Sequence, residues 1–364
     1  GKPYDSKVLN WAPSAMFWYD INDNTNVRLF YHGRSQQPST TQLMPVPDNS
    51  NPLRVTLGNP SLAPYFSHNL NGDFRFNNRQ KFSSVNIRFG AGLTQDPIVN
   101  AIITTNGVQH TLPFNGPDSW NGNINVMTNN PIFTSALTLS TNTSASTSRS
   151  NSYTGLNIDI TKYYKDGDAS NFDYPKFFAD YDDIANSKDF ALNSTQTLNA
   201  TERLTLTYRA EDFDIRVGGS TRYQRTWYSI GDKSTTNTFR NNVNAEFTWN
   251  WDLTGLTFDT DFRYNWYNGF DNQTPEFLWN MEIEKLVFNQ KATIAVRAYD
   301  ILGQTKNFSV TDSNDYHTET LSNSLGRYII VSFSWRFGSF GNRGGMMGGM
   351  GGGRGGRGRG GMGG

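Results

Sequence analysis

The feature that most constrains this chain is a series of segments in which every second residue is large and apolar. In residues 325–337, LGRYIIVSFSWRF, one parity carries Ile329, Val331, Phe333, Trp335 and Phe337, and the other carries Ser332, Ser334 and Arg336. A period of two sends alternate side chains to opposite faces of an extended strand, so the segment reads as a strand with one apolar and one polar face. The pattern recurs. Val243, Ala245, Phe247, Trp249 and Trp251 alternate with Asn244, Glu246, Thr248 and Asn250; Leu256, Phe258, Phe262, Tyr264 and Trp266 alternate with Thr257, Asp259, Asp261, Arg263 and Asn265; and Phe277, Trp279, Met281 and Ile283 alternate with Leu278, Asn280, Glu282 and Glu284. Further strands are expected at 13–20, 26–34, 66–76, 81–103, 119–129, 132–140, 196–209, 213–227 and 292–299, which makes thirteen, with 98–103 also readable as a separate short hairpin arm.

The connections alternate in length. Those at 20–25, 77–80, 129–131, 210–212, 252–255 and 288–291 are tight, and those at 35–65, 95–118, 141–195, 228–238, 269–276 and 301–324 are long and polar. Short turns on one rim and long loops on the other define an antiparallel transmembrane β-barrel, whose rims face different compartments. Rings gather at both ends of the strands: Tyr208, Phe213, Trp249, Trp251 and Phe337 near the short turns, and Trp227, Tyr264, Trp266, Phe277 and Trp279 near the long loops. Two aromatic levels match two membrane–water interfaces. The first and last strands run in the same direction, so they cannot pair antiparallel with each other. Closure then requires an odd number of further strands, and the chain is expected to be the C-terminal part of something larger.

Composition supports this. Only 36% of the 364 residues are hydrophobic while 14% are aromatic, with 25 Phe, 17 Tyr and 9 Trp, a balance that demands rings for more than a core. The net charge is formally zero, which argues against a globally basic or acidic surface. No apolar run approaches the roughly 20 residues of a spanning helix. The absence of cysteine excludes disulfides, thiolate metal sites and a cysteine nucleophile.

Residues 35–64, SQQPSTTQLMPVPDNSNPLRVTLGNPSLAP, hold a Pro-Ser and Gln-Leu element followed by Gly58, Asn59, Pro60, Leu62 and Pro64 in the order Gly-Asn-Pro-x-Leu-x-Pro. This resembles the outer-membrane TonB-dependent receptors, most closely the branch common in Bacteroidetes, and the closing stretch up to Phe337 is similar to their last hairpin. The resemblance implies a barrel of about 22 strands, of which the thirteen here form the C-terminal part. It also implies a Gram-negative outer-membrane location, capture of an extracellular ligand by the long loops, and uptake driven by the TonB energising complex through an N-terminal plug that has no counterpart here. Phe333, Trp335 and Phe337 match the final strand that barrel-assembly machinery reads, although the chain continues to Gly364. The remaining partner is the lipid of the outer membrane.

No catalytic constellation is present. His32, His68, His110 and His317 are dispersed, so no enzyme, cofactor or metal is expected. Asp166, Asp168, Ser170, Asn171 and Asp173 place oxygens as a calcium loop does, but without the glycine and bidentate glutamate of that motif, and a solvated acidic turn is the default. Tyr174, Phe177, Phe178, Tyr181, Asp182 and Asp183 form an aromatic and acidic patch in the longest loop. The patch could contact a ligand or pin the loop to the barrel mouth. Asp259, Asp261, Arg263, Glu282, Glu284, Arg297 and Arg336 lie on polar faces and are expected to point into the lumen. Residues 1–337 therefore read as barrel and 338–364 as a flexible Gly/Arg/Met-rich tail, with no nucleic acid as partner. Two alternatives stand beside uptake: a structural or secretion-associated barrel, and a soluble carbohydrate-binding β-protein.

Overall fold

A computed structural model describes residues 10–51, 53–155, 158–180, 183–184, 188–230, 236–271, 274–312, 317–322 and 325–337. The expected tail lies outside the described residues. In chain order the strands are β1 (Ser14–Asn22), β2 (Thr25–Gln36), β3 (Asp48–Asn51), β4 (Arg54–Thr56), β5 (Tyr65–Asn78), β6 (Ser83–Gln95), β7 (Ile98–Thr105), β8 (Val108–Asn115), β9 (Ser119–Ile132), β10 (Thr134–Gly155) and β11 (Tyr164–Lys165). They continue with β12 (Asp168–Phe172), β13 (Phe190–Arg209), β14 (Phe213–Tyr228), β15 (Thr236–Trp251), β16 (Leu256–Asn268), β17 (Glu276–Val287), β18 (Ala292–Tyr299), β19 (Asn307–Asp312), β20 (His317–Ser322) and β21 (Tyr328–Trp335). The helices α1 (Thr40–Leu43) and α2 (Tyr174–Ala179) and a 3-10 turn at Ile160–Tyr163 interrupt them among the described residues.

Thirteen of the described strands form one wall, each antiparallel to the next: β1, β2, β5, β6, β9, β10, β13, β14, β15, β16, β17, β18 and β21. This is the expected number. Among the described residues the outer edges of β1 and β21 carry no strand, and the two strands run in the same direction.

Local chemistry sets the tight turns. Between β1 and β2, the Asn24 N–H donates to Asn22 Oδ1 at 3.0 Å, an Asx turn that closes the hairpin in two residues. Between β15 and β16, Gly255 sits at φ +64°, where a side chain would be strained. Phe82, Phe133 and Phe288 also occupy left-handed backbone, at φ 51°, 65° and 53°, each in a tight turn on the same rim. These bulky rings are 69%, 98% and 61% exposed, which places apolar tips at the short-turn end of the wall.

The two faces of the wall differ as the alternation predicts. Register keeps Leu204, Val217, Val243, Phe262 and Ile283 on one face, where each is exposed and no described residue covers it. On β16 this apolar parity runs from Leu256 to Trp266. Ten residue steps cover about 33 Å along a strand, or about 25 Å of height at a tilt of about 40°, the thickness of a barrel's apolar band. The opposite face carries Glu282 and Arg297, paired at 2.7 Å, and Arg216 and Glu246, also at 2.7 Å. Thr248 Oγ1 donates to Asp259 at 2.6 Å, and Asn280 Nδ2 donates to Asp261 at 2.9 Å.

Two expectations change. The segment expected as one strand over 81–103 breaks at Asp96, which has φ 49°; β6 ends there, and β7 leaves the wall to pair with β8. Much of the expected loop at 141–195 is strand instead, because β10 extends to Gly155 and β13 starts at Phe190, paired throughout. Residues 141–152 are Ser, Thr, Asn and Ala on both parities, apart from Arg149. They carry no apolar alternation to read, yet their backbone N–H and C=O groups bond into the ladder regardless of side-chain pattern.

Candidate functional site

The buried hydrophobic cluster touches the wall only at its outer rim, through Phe190 of β13 and Tyr153 of β10. It lies in a layer built on the long-loop rim by three connections, β2–β5, β6–β9 and β10–β13. Val55, Leu57, Ile103, Leu112, Ile160, Tyr163, Tyr174 and Phe177 pack together there, drawn from β4, β7, β8, the 3-10 turn and α2. β4 pairs parallel with β8, and β7 pairs parallel with the outer end of β10, so the layer is stitched to the wall through one continuous sheet.

The Gly58–Pro64 motif is the corner of this layer. Ser39 caps α1 in a reciprocal box with Gln42. The Gln42 carbonyl then accepts the Asn59 N–H at 2.6 Å. A Cβ on Gly58 would overlap the backbone carbonyl oxygen of Met44, so this close approach requires glycine. Asn59 is buried; its Nδ2 donates to the Pro113 carbonyl at 2.9 Å and its Oδ1 accepts the Ser61 N–H at 2.9 Å. Leu62 is buried, Pro60 half-buried, and Pro64 exposed just before β5. The two halves of the motif, 38–43 and 58–64, therefore fold against each other.

Of the aromatic and acidic patch, Tyr174 and Phe177 are core residues at 6% and 0% exposure. The Tyr174 hydroxyl accepts the Gly58 N–H at 3.3 Å, which joins the patch to the motif across 116 residues. Burial pushes the Tyr174 phenol up to about 12. Phe177 lies edge-on to Tyr163, centroids 5.1 Å apart, and Phe178 is half-buried with its ring stacked on Tyr174. Asp183 is exposed, while Tyr181 and Asp182 lie outside the described residues. The acidic stretch does not converge on one point: Asp166 and Gly167 turn the β11–β12 hairpin at positive φ, and Asp173 caps α2 by accepting the Lys176 N–H at 3.3 Å.

The histidines separate as well. His110 is 1% exposed inside the layer, hydrogen-bonded through Nε2 to the Tyr164 hydroxyl, and burial lowers its pKa. His68 shares Nδ1 with the Tyr31 hydroxyl at 2.9 Å, and His32 stacks on Phe30.

At the other end of the chain, Phe333 and Trp335 lie on the apolar face of β21, opposite Ile294 and Ala292. The ladder ends where the Arg336 N–H donates to the Lys291 carbonyl at 2.9 Å. Phe337 follows at 84% exposure with its ring 6.1 Å from Trp335.

The polar face divides into two sectors. Across β14 to β18 it is charged. Across β5 to β10 its outer half is neutral: the rows Ser67–Thr94–Ser119, Asn69–Gly92–Asn121–Ser148 and Asn71–Gly90–Asn123–Ser146 run from strand to strand. A cavity of about 360 Å³ is lined by Ser67, Asn69, Gly92, Thr94, Asn121 and Arg149 among others. A second of about 320 Å³ lies one row lower, against Arg28, Phe30, Asn71, Asp73, Arg88 and Asn123. Sequence reasoning did not single these residues out. Their signal was the uncharged polar parity of 67–71, 90–94 and 119–123.

An uncovered apolar face, a polar inner face and loops sorted to one rim define an outer-membrane β-barrel wall. Residues 1–210, more than half of the chain, match the Outer membrane protein beta-barrel family, and the chain belongs to that family. Its location is the outer membrane. No curated protein sequence matches it. Among solved structures it is similar to the siderophore receptor PirA of Acinetobacter baumannii, at 9% identity and TM-score 0.45 over 86% of this chain and 42% of that one. It is also similar to the ferric enterobactin receptor PfeA of Pseudomonas aeruginosa, at 8% and 0.47 over 83% and 42%. The RagAB peptide importer matches at 8% and 0.43 over 86% and 39%. The chain thus spans about two fifths of the length of these receptors.

Proposed function

We propose that the chain is part of the wall of an outer-membrane receptor resembling the TonB-dependent receptors, which captures a ligand at the loop layer and passes it along a polar lumen. The observation that carries this reading is the asymmetry of the two rims: one has only tight turns, and the other has a packed layer over a neutral polar wall. Because β1 and β21 run in the same direction, closing the wall takes an odd number of further antiparallel strands. Energising through a plug and an inner-membrane complex enters by resemblance, as does the role of Phe333, Trp335 and Phe337 in recognition by assembly machinery. Within the patch, the exposed Asp183 and the half-buried Phe178 are the described residues available to a ligand.

The test uses the full-length protein in cells. It is expected in the outer-membrane fraction as a band that migrates faster before boiling than after, and photo-crosslinkers on its periplasmic side are expected to capture the energising protein. Release by carbonate without detergent overturns the membrane reading. A membrane-inserted barrel with no such adduct overturns energised uptake and leaves the structural or secretion-associated barrel.

A further inference from the structure

The apolar face of the wall is interrupted in one sector. On the parity of Leu204, Val217 and Phe262, the described wall strands present three lysine or arginine residues: Arg149 on β10, Arg225 on β14 and Lys285 at the short-turn end of β17. Lys285 donates to the Thr254 carbonyl in the turn beside it. The two arginines stand near the outer ends of their strands, and both are exposed. Among the described residues neither belongs to an ion pair. Arg149 borders the cavity of the polar face, but its guanidinium turns the other way: Nη2 donates to Ser194 Oγ at 3.2 Å, and Ser194 shares the parity of Leu198 and Leu204. The Arg225 guanidinium lies 4.8 Å from the ring centre of Trp227.

Register puts the two arginines at one height. The ladder row that starts at Tyr208 on β13 reaches β21 at Ile329, six strands on and six residues outward of Trp335, although Tyr208 and Trp335 both lie at the short-turn rim. A row therefore climbs about one residue per strand, as the tilt of a barrel requires. Arg149 shares its row with Gln196 and Trp227, and Arg225 lies two residues inward of Trp227 on the second strand along. The climb and the offset cancel, and the two backbone positions are level, about 12 Å apart across β13. Just above, the outward face closes: Asn151 is 6% exposed and donates to the Pro117 and Asp118 carbonyls. Trp120 pairs with Arg149 and Trp227 flanks Arg225, the rings expected at a membrane–water interface. Below, the face becomes a shallow trough of Thr147, Ala145 and Ala200 between Ile124 on β9 and Tyr223 on β14. Glu202 closes its foot, held by Thr143 Oγ1 at 2.5 Å.

We infer that Arg149 and Arg225 form a binding site for the phosphate-bearing headgroup of an outer-leaflet lipid, with one acyl chain lying in the trough beneath. A guanidinium presents a fork of donors that matches a phosphate group. Two of them at one level, with Ser194 and Gln196 between, surround a headgroup resting on β13. A lone arginine at an interface can simply extend its stem into water. Here the two in the outer half of the face fall on one level, over the stretch where small side chains replace bulky ones. A second copy of the chain fits worse. A two-fold axis along the membrane normal keeps every residue at its height, so arginines would meet arginines and Glu202 would meet Glu202. The inference rests on the outer-membrane location and not on uptake.

The experiment is native mass spectrometry and calorimetric titration of the detergent-purified full-length protein with bisphosphorylated lipid A, with the same lipid after dephosphorylation, and with inorganic phosphate. Lipid A is expected to bind. The double variant Arg149→Gln/Arg225→Gln should weaken that binding at least about tenfold, the value of one charge-assisted hydrogen bond, and so should removal of the lipid's phosphates. Lys285→Gln, at the opposite rim and beyond a Debye length, should change it less than about twofold. Ala200→Phe, which fills the trough and removes no charge, should also weaken it. Retained fast migration before boiling shows that each variant is folded. Failure of lipid A to bind, unchanged affinity in the double variant, equal binding of the dephosphorylated lipid, or inorganic phosphate binding as tightly as lipid A overturns the inference. So does a dimer of the chain that carries no lipid and is lost in the double variant. None of these outcomes alters extraction by carbonate or crosslinking to the energising protein, so failure here is distinguishable from failure of the membrane and uptake readings.

Discussion

Replacing Phe177 by alanine tests whether the loop layer is a cooperative unit separate from the wall. The ring is fully buried, edge-on to Tyr163 at 5.1 Å, and 5.5 Å from both Phe172 and Phe178. Removing it forfeits the transfer free energy of a buried ring and leaves a cavity, together about 3–5 kcal/mol. Its neighbours can close only part of that cavity, because Tyr163 is tied to Asp180 through its hydroxyl at 3.0 Å and Phe172 belongs to β12. At about 1.4 kcal/mol per tenfold, a loss of about 4 kcal/mol raises the open population of the layer roughly a thousandfold. Among the described residues the rings paired with Phe177 are Tyr163, Phe172 and Phe178, none of them on the wall, which reaches the cluster only through Tyr153 and Phe190 at the outer ends of β10 and β13 and bonds through its own ladders, so it should stay closed. The assay is amide hydrogen exchange together with limited proteolysis in detergent. Amides of α2, including the Phe177 N–H that donates to the Asp173 carbonyl, should exchange far faster, and protease should cut the β10–β13 connection, while the amides of β13 and β14 keep their protection. Phe178→Ala, at a half-buried position, should cost under about 1.5 kcal/mol. Unchanged exchange in α2 would refute the assignment of Phe177 to a folded core; simultaneous loss of protection in β13 and β14 would refute the independence of layer and wall.

Three further outcomes follow from named contacts. Gly58→Ala should force α1 away from the corner at a cost of about 1–3 kcal/mol or more, read as faster exchange of the Asn59 amide, which now donates to Gln42. On the wall, Ala245→Arg lies on the apolar face between Val217 and Phe262 and should destabilise the inserted barrel by about 2–4 kcal/mol in liposome unfolding. The neighbouring Asn242→Lys on the polar face should cost about 1 kcal/mol, the value of its lost bond to Asn265. His110 sets a pH limit on the layer: burial holds its folded pKa below its unfolded value of about 6.5, so the unfolded layer binds more protons in that window and stability falls as pH drops below about 6.5. Proteolysis of the loops should quicken from pH 7 to pH 5 in the native protein and lose that dependence in His110→Gln.

Strand number, rim assignment and the direction of β1 and β21 were legible in the sequence, because each depends on a period of two against a uniform environment. A strand with lipid on one side and a polar lumen on the other must alternate, whatever its neighbours are. Where both parities are small and polar, as along β10 from Thr141 to Ser152, the signal disappears although the backbone ladder does not, and the strand becomes visible only in three dimensions. The loop layer was hidden for a different reason. Its core joins Gly58 to Tyr174 across 116 residues, and the rings that read as one local patch are divided between a buried set and an exposed remainder by packing with β4, β7 and β8.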